Sequence, residues 1–393
     1  MNILIFEPYP FNKIAGNLRT QSYIIKFIDK DRFHLVFLSP FETGFTKKLE
    51  KEGTDTIILE PPERVNRYGG KNLNEGIFGK LKTIMALLQY NIKLRKIFKQ
   101  KQIDVVYCNC IRGVLTIFLA AILSRTPILW YIKGELQNTI LDTVGFFLSR
   151  KILYFCESNK NDKYPLLTYI FRKKIGILNI GVDPAVFVDI ERADKSKLIK
   201  EFGINEETIN LVYTGQLYRP KGIHYLLEAV ALVRDEYPNI KLYIVGDHII
   251  EEYKDYINDL NNIIVQHGIA EHIIFTGWRT DALNIISIMD ILVHPSLSEG
   301  FGRTVLEGMA LGKPVIASKV GGLRELIKNG ENGFLVDVRS PSQIAEKLCL
   351  LLANKGLRER MGREAKKTVF SEYLIQDKIR ELECIWHEMV ENN

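Results

Sequence analysis

At 393 residues the chain is long enough for two or three domains of about 150 residues each. It is 46% hydrophobic and 25% charged, an ordinary globular composition that excludes a disordered, collagen-like or coiled-coil chain. The net charge of +6 hides an asymmetry, because residues 1–185 hold 28 Lys and Arg against 16 Asp and Glu, and the remainder 25 against 31. A basic first half suits an anionic partner; nucleic acid, a membrane surface and a lipid phosphate all fit that description.

The N-terminus, Met1 to Glu7, has neither the basic region nor the small-residue cleavage site of a signal peptide. The longest apolar run, residues 114–123, is about half the length of a bilayer span. The expectation is a soluble cytoplasmic protein. Residues 2–6 read as a first strand, followed by a Pro- and Gly-punctuated loop to Gly16, a helix over about 18–28 and a strand at 35–38. Further strands are expected near 56–59, 104–108, 127–131, 152–156 and 175–178, with helical patterns between them. Their continuous hydrophobicity predicts parallel strands buried on both faces. Five cysteines (108, 110, 156, 349 and 384) form no paired C-x-x-C site. Cys108 and Cys110 flank one residue beside a buried strand and read as inert core thiols.

The alternation restarts at 210–214, followed by a helix at about 222–237 and strands at 241–245, 273–276, 291–294, 314–317 and 333–336. The charged stretch 189–207, poor in strand formers, reads as the domain boundary. This gives a first domain over 1–188, a second over 189–370, and a last helix, 371–393, whose apolar spacing lets it pack back onto the first domain. The fold class is α/β, with two Rossmann-like domains whose ligand edges face a cleft.

The most informative stretch runs from His294 to Ala317. A strand ends at His294, a Gly-containing loop follows, and a helix starts near Arg303. Gly300 and Gly302 allow close backbone approach, and the free N–H groups of a helix start suit a diphosphate. Glu299 precedes the helix and Glu307 lies in its second turn, so carboxylates can grip sugar hydroxyls while amides hold phosphate. A P-loop is excluded, since Gly308 and Gly312 are too close together and Lys313 precedes Pro314.

The string Ser298-Glu299-Gly300-Phe301-Gly302 through Glu307-Gly308-Met309-Ala310, then 312–317 and Val320-Gly321-Gly322 to Glu325, resembles the retaining glycosyltransferases of family 4. These have the GT-B fold and a Glu-x7-Glu signature. The segment from Tyr213 through Gly215 to Lys221-Gly222, and that from Leu178 to Phe187, are similar to family segments in the same order. The resemblance is dense over 175–340 and only architectural over 1–170. It implies a nucleoside-diphosphate sugar donor (UDP- or GDP-linked) in the second domain, and a glycan or lipid-linked acceptor in the first. Glu299 is then expected on the donor sugar, Glu307 on the ribose, and Lys221 with the backbone of Gly300, Phe301, Gly302, Arg303 and Thr304 on the diphosphate. Lys221 can play a cation's part, so no metal or other cofactor is expected, and no nucleic acid partner. Bacterial surface polysaccharide or glycolipid synthesis is the implied setting.

Three features depart from the pattern or stand outside it. Gln216 stands where the family often has Arg, and Arg219 either restores that charge or is a solvated loop residue. One glycine, Gly16, stands where the family often shows a pair. The basic helix 80–101 either lies on an anionic membrane or packs its apolar stripe (Leu81, Ile84, Met85, Leu88, Ile92 and Ile97) into the core. Two other functions fit the architecture. A sugar-nucleotide epimerase would convert its substrate without an acceptor, and an inactive nucleotide-binding subunit would explain Gln216.

Overall fold

The computed structural model describes residues 1–9, 16–66, 76–133, 136, 139–161, 164–247 and 254–391. They divide into two compact units, Met1–Asn179 with Ile375–Asn393, and Ile180–Leu374.

In the first unit the strands are β1 (Asn2–Phe6), β2 (His34–Ser39), β3 (Asp55–Ile58), β4 (Val105–Cys108), β5 (Ile128–Ile132), β6 (Lys151–Tyr154) and β7 (Ile175–Ile177). They form one parallel sheet in the order β3-β2-β1-β4-β5-β6-β7. Both faces are covered, which is why Ile3 to Phe6 form an unbroken apolar run with no exposed side chain. On one face Leu4, Phe6, Val36 and Val106 pack against Tyr90, Leu94, Phe98, Ile117 and Phe146, which come from helices Ile77–Gln100, Ile111–Ser124 and Thr139–Leu148. On the other lies the last helix, Ile375–Glu391. Its Trp386 is fully buried and meets Tyr107 of β4 edge to face at 6.3 Å. Glu383 of the same helix accepts the backbone N–H of Asp29 at 2.9 Å.

The second unit holds β8 (Ile209–Thr214), β9 (Ile240–Val245), β10 (Ile273–Gly277), β11 (Ile291–His294), β12 (Val315–Ser318) and β13 (Phe334–Val336). The order is β10-β9-β8-β11-β12-β13, again all parallel. Each sheet starts near its middle, winds to one side and then returns to the other. The order therefore reverses between β1 and β4 in the first unit and between β8 and β11 in the second. Loops leaving two such strands go to opposite faces, and the crevice they open at the carboxyl ends is where such sheets take ligands.

Two expectations are corrected, and one alternative left open is decided. The boundary falls at 179/180 rather than 188/189, and the last helix starts at Ile375 rather than 371. The charged stretch 189–207 is no linker, because it continues helix Pro184–Arg192 and forms helix Ser196–Phe202. It reads as polar because only one side is buried: Phe187 and Ile190 face inward, with Phe187 against the ring of Phe370 at 6.1 Å. The apolar stripe of helix Ile77–Gln100 is not its core face. Leu81, Ile84, Met85, Leu88 and Ile92 are exposed, while Tyr90, Asn91, Leu94 and Phe98 are buried. The helix has two apolar faces, and the spacing alone does not say which one meets the sheet.

Candidate active site

The loop after β8 turns sharply through a 3-10 turn, Arg219–Lys221, and enters helix Ile223–Val233 at Gly222. Gly222 has φ +67°, and a Cβ there would stand 2.1 Å from the carbonyl oxygen of Pro295, in the loop after β11. Only glycine permits both the conformation and the approach. Leu297 N–H donates to the carbonyl of Pro220 at 2.8 Å, so the loops of the two switch-point strands are knitted together.

That contact brings Lys221 to Glu299. The ammonium of Lys221 lies 2.6 Å from Glu299 Oε2, with about 15% of each side chain exposed. His294, the last residue of β11 and buried, places Nε2 2.9 Å from the same oxygen and 3.0 Å from Ser296 Oγ. Both bonds to the carboxylate fall on Oε2, and Oε1 carries neither. Burial opposes ionisation of Glu299, but the His294 hydrogen bond and the Lys221 charge outweigh it and hold its carboxyl down at about 2. Burial and the Lys221 charge push the His294 imidazole below its ordinary value, against the pull of Glu299. A neutral ring beside a carboxylate donates to it, so Nε2 carries the proton and the buried Nδ1, which has no partner, carries the lone pair. Tyr213 of β8 stacks on this ring at 6.0 Å and 11° and donates its hydroxyl to the carbonyl of Gln216.

Three residues beyond Glu299, the chain enters helix Arg303–Ala310 through Gly302 at φ +94°, with no side chain capping it. A Cβ on Gly302 would lie 2.3 Å from Leu323, so a capping side chain has no room. The first-turn N–H groups therefore end beside the loop that carries Glu299, with the positive end of the helix dipole. Gly322 N–H donates to Gly300 O at 3.0 Å and pins the loop from the next strand's connection. Phe301 is buried and packs on Tyr373 at 5.6 Å, so its side chain anchors the loop and only its backbone faces the site. Arg303, Thr304 and Glu307 are half-buried on a helix whose Val305, Leu306 and Met309 are fully buried.

The remaining candidates fall elsewhere. Arg219 pairs with Asp259 and lies over the ring of Tyr256. Gln216 is exposed after β8. Gly16 opens helix Gly16–Phe27, and the loop leading to it lies outside the described residues. Trp278, after β10, is 54% exposed. Cys108 is fully buried and Cys110 caps helix Ile111–Ser124; burial pushes both thiols up, that of Cys110 to about 11. Sequence reading missed the equivalent crevice in the first unit. There Glu7, after β1, accepts hydrogen bonds from Gln21 at 2.8 Å and from Asn109, after β4, at 3.2 Å, and burial pushes its carboxyl up. A glutamate directly following an apolar first strand was the available signal.

Residues 194–368 match the family model described as glycosyl transferases group 1. The second half of the chain is a group 1 glycosyltransferase domain. Lys221, His294, Glu299 and Glu307 all lie within it, and the chain is a glycosyltransferase. Over 384 residues it is 25% identical to the capsular polysaccharide biosynthesis glycosyltransferase CapM of Staphylococcus aureus, covering 92% of this chain and 98% of CapM. Its fold is that of GT-B glycosyltransferases. A glycosyltransferase from Rickettsia africae superposes with a TM-score of 0.82 at 21% identity, covering 100% of this chain and 99% of the other. Anabaena HepE, solved in complex with UDP-glucose, gives 0.77 at 20% identity over the whole of both chains.

Proposed function

We propose that the chain is a retaining glycosyltransferase of family 4 that transfers a hexose from a UDP- or GDP-sugar to a glycan or lipid-linked acceptor in bacterial surface polysaccharide or glycolipid synthesis. The carrying observation is the buried ion pair of Lys221 and Glu299, braced by His294 beside an uncapped helix start. CapM's part in capsule synthesis and the UDP-glucose bound by HepE support the substrate class.

As the bond from the anomeric carbon to the diphosphate breaks, negative charge grows on the leaving oxygen and positive charge on the ring. Fixed N–H donors of Gly302 to Thr304 and the Lys221 ammonium stabilise the first in a site with little water. Glu299, held ionised, offers Oε1 to the donor sugar's hydroxyls, and Glu307 reaches the ribose. Attack on the face the diphosphate leaves retains configuration, with the leaving phosphate taking the acceptor's proton. Lys221 supplies the positive charge a metal ion gives elsewhere, so turnover should persist in excess EDTA; its loss would overturn that part of the reading. Trp278 offers the base an aromatic face at the end of β10, and the first unit takes the acceptor.

The test is turnover of a cognate nucleotide sugar by Lys221→Ala and Glu299→Ala. Each should fall at least about tenfold, equivalent to only about 1.4 kcal/mol of transition-state stabilisation. Wild-type rates in both would remove the site assignment.

A further inference from the structure

Four helical segments of the first unit, Ile77–Gln100, Ile111–Ser124, Thr139–Leu148 and Pro165–Ile170, cover one face of its sheet and leave their outer sides bare. Of the 24 large apolar side chains exposed among the described residues, seven lie on the first of these, two on the second and three on each of the others. Phe78 is 83% exposed, Ile140 76% and Phe147 66%. At about 100° per residue, the seven on helix 77–100 share an arc of about 120°, turned away from the buried Leu94 and Phe98. Soluble surfaces scatter such residues singly; a continuous patch marks an interaction surface.

The charge around the patch identifies what covers it. Helix Ile77–Gln100 carries six Lys and Arg and no acidic residue. Its exposed arc turns from apolar to basic along its length, because Arg95, Lys96 and Lys99 occupy the angles held earlier by Ile77, Phe78 and Leu81. Helices 111–124 and 165–170 also lack acidic residues, and Asp142 of helix 139–148 is buried. Beside Ile122 and Phe147 a groove is lined by Arg125, Arg150 and Lys174. Apolar side chains rimmed by cations match the acyl boundary and headgroup phosphates of an anionic bilayer.

We propose that this helical layer is a docking surface for an anionic phospholipid membrane, with Phe78, Ile84 and Phe147 entering the interface and the flanking lysines and arginines on headgroup phosphates. Binding needs neither donor nor catalysis, so it stands or falls apart from the transferase reading.

The full chain is sedimented with vesicles of phosphatidylcholine alone and with vesicles of equal parts phosphatidylcholine and phosphatidylglycerol. Partitioning onto the anionic vesicles should exceed that onto neutral ones by about tenfold or more and fall with added salt. Phe78→Ser with Ile84→Ser should lower it about tenfold, and Lys82→Glu with Lys93→Glu should do the same, both with unchanged thermal melts because these side chains are exposed. Equal binding to both vesicle types, binding to neither, or wild-type binding by both variants overturns the proposal. So does self-association in sedimentation velocity that Phe78→Ser with Ile84→Ser abolishes while vesicles are ignored, since the face then meets a second copy.

Discussion

Glu299 is held by two donors that converge on one of its oxygens, Lys221 from the β8 loop and His294 from the end of β11. Its carboxyl, at about 2 in the fold against an ordinary value of 4.5, makes a stability contribution with a defined sign. A depressed carboxyl stabilises fully above its unfolded value, and that contribution is lost as pH falls through the folded one. Wild type should therefore exceed Glu299→Gln in urea-melt stability at neutral pH, and the gap should close between pH 4.5 and about 2. A gap independent of pH would mean the pair does not hold the charge. The sequence showed Lys221 and Glu299 through their motifs. It did not show that they meet, since that depends on Gly222 admitting Pro295 at a distance no Cβ allows. The group that the His294 ring holds was equally hidden, because a histidine ending an apolar strand looks the same whatever its ring bonds.

Strands were the most legible elements, since parallel strands buried on both faces print as short apolar runs with little competing pattern. Helix Arg303–Ala310 was also plain, because glycines precede it and buried Val305, Leu306 and Met309 give it a period. The inward face of helix Ile77–Gln100 stayed open, and 189–207 read as a domain boundary although most of it is helical, for a common reason. Amphipathic spacing locates a helix but not the neighbour it faces. The last helix shows what burial contributes at this scale. Trp386 is enclosed by Tyr107 at 6.3 Å and Phe33 at 5.8 Å with no exposed surface. Trp386→Ala should cost about 3–5 kcal/mol by emptying that space. A denaturant midpoint unchanged within error would show that this helix is not integral to the first unit.

Two sheets wound in the same sense give the molecule two switch-point crevices, each with a buried glutamate, whose carboxyls are shifted in opposite directions. In the second unit the crevice holds an ammonium, an ionised carboxylate and an uncapped helix start, an arrangement for a sugar diphosphate. In the first, the crevice holds Glu7, whose carboxyl burial pushes up against the pull of Gln21, Asn109 and the Lys133 charge. Architecture was legible across the whole chain, whereas motif was legible only where the group 1 domain lies, because diphosphate binding constrains loops and helix starts far more tightly than acceptor binding does. The donor crevice is thus the central claim, and nucleotide binding tests it most directly. Thermal shifts with UDP, GDP and ADP should single out one nucleotide, since saturation at 100 times its dissociation constant adds about 2.7 kcal/mol. Lys221→Ala should weaken that nucleotide's binding about tenfold, or about 1.4 kcal/mol. No shift with any of the three, or equal affinity in the variant, would contradict the account.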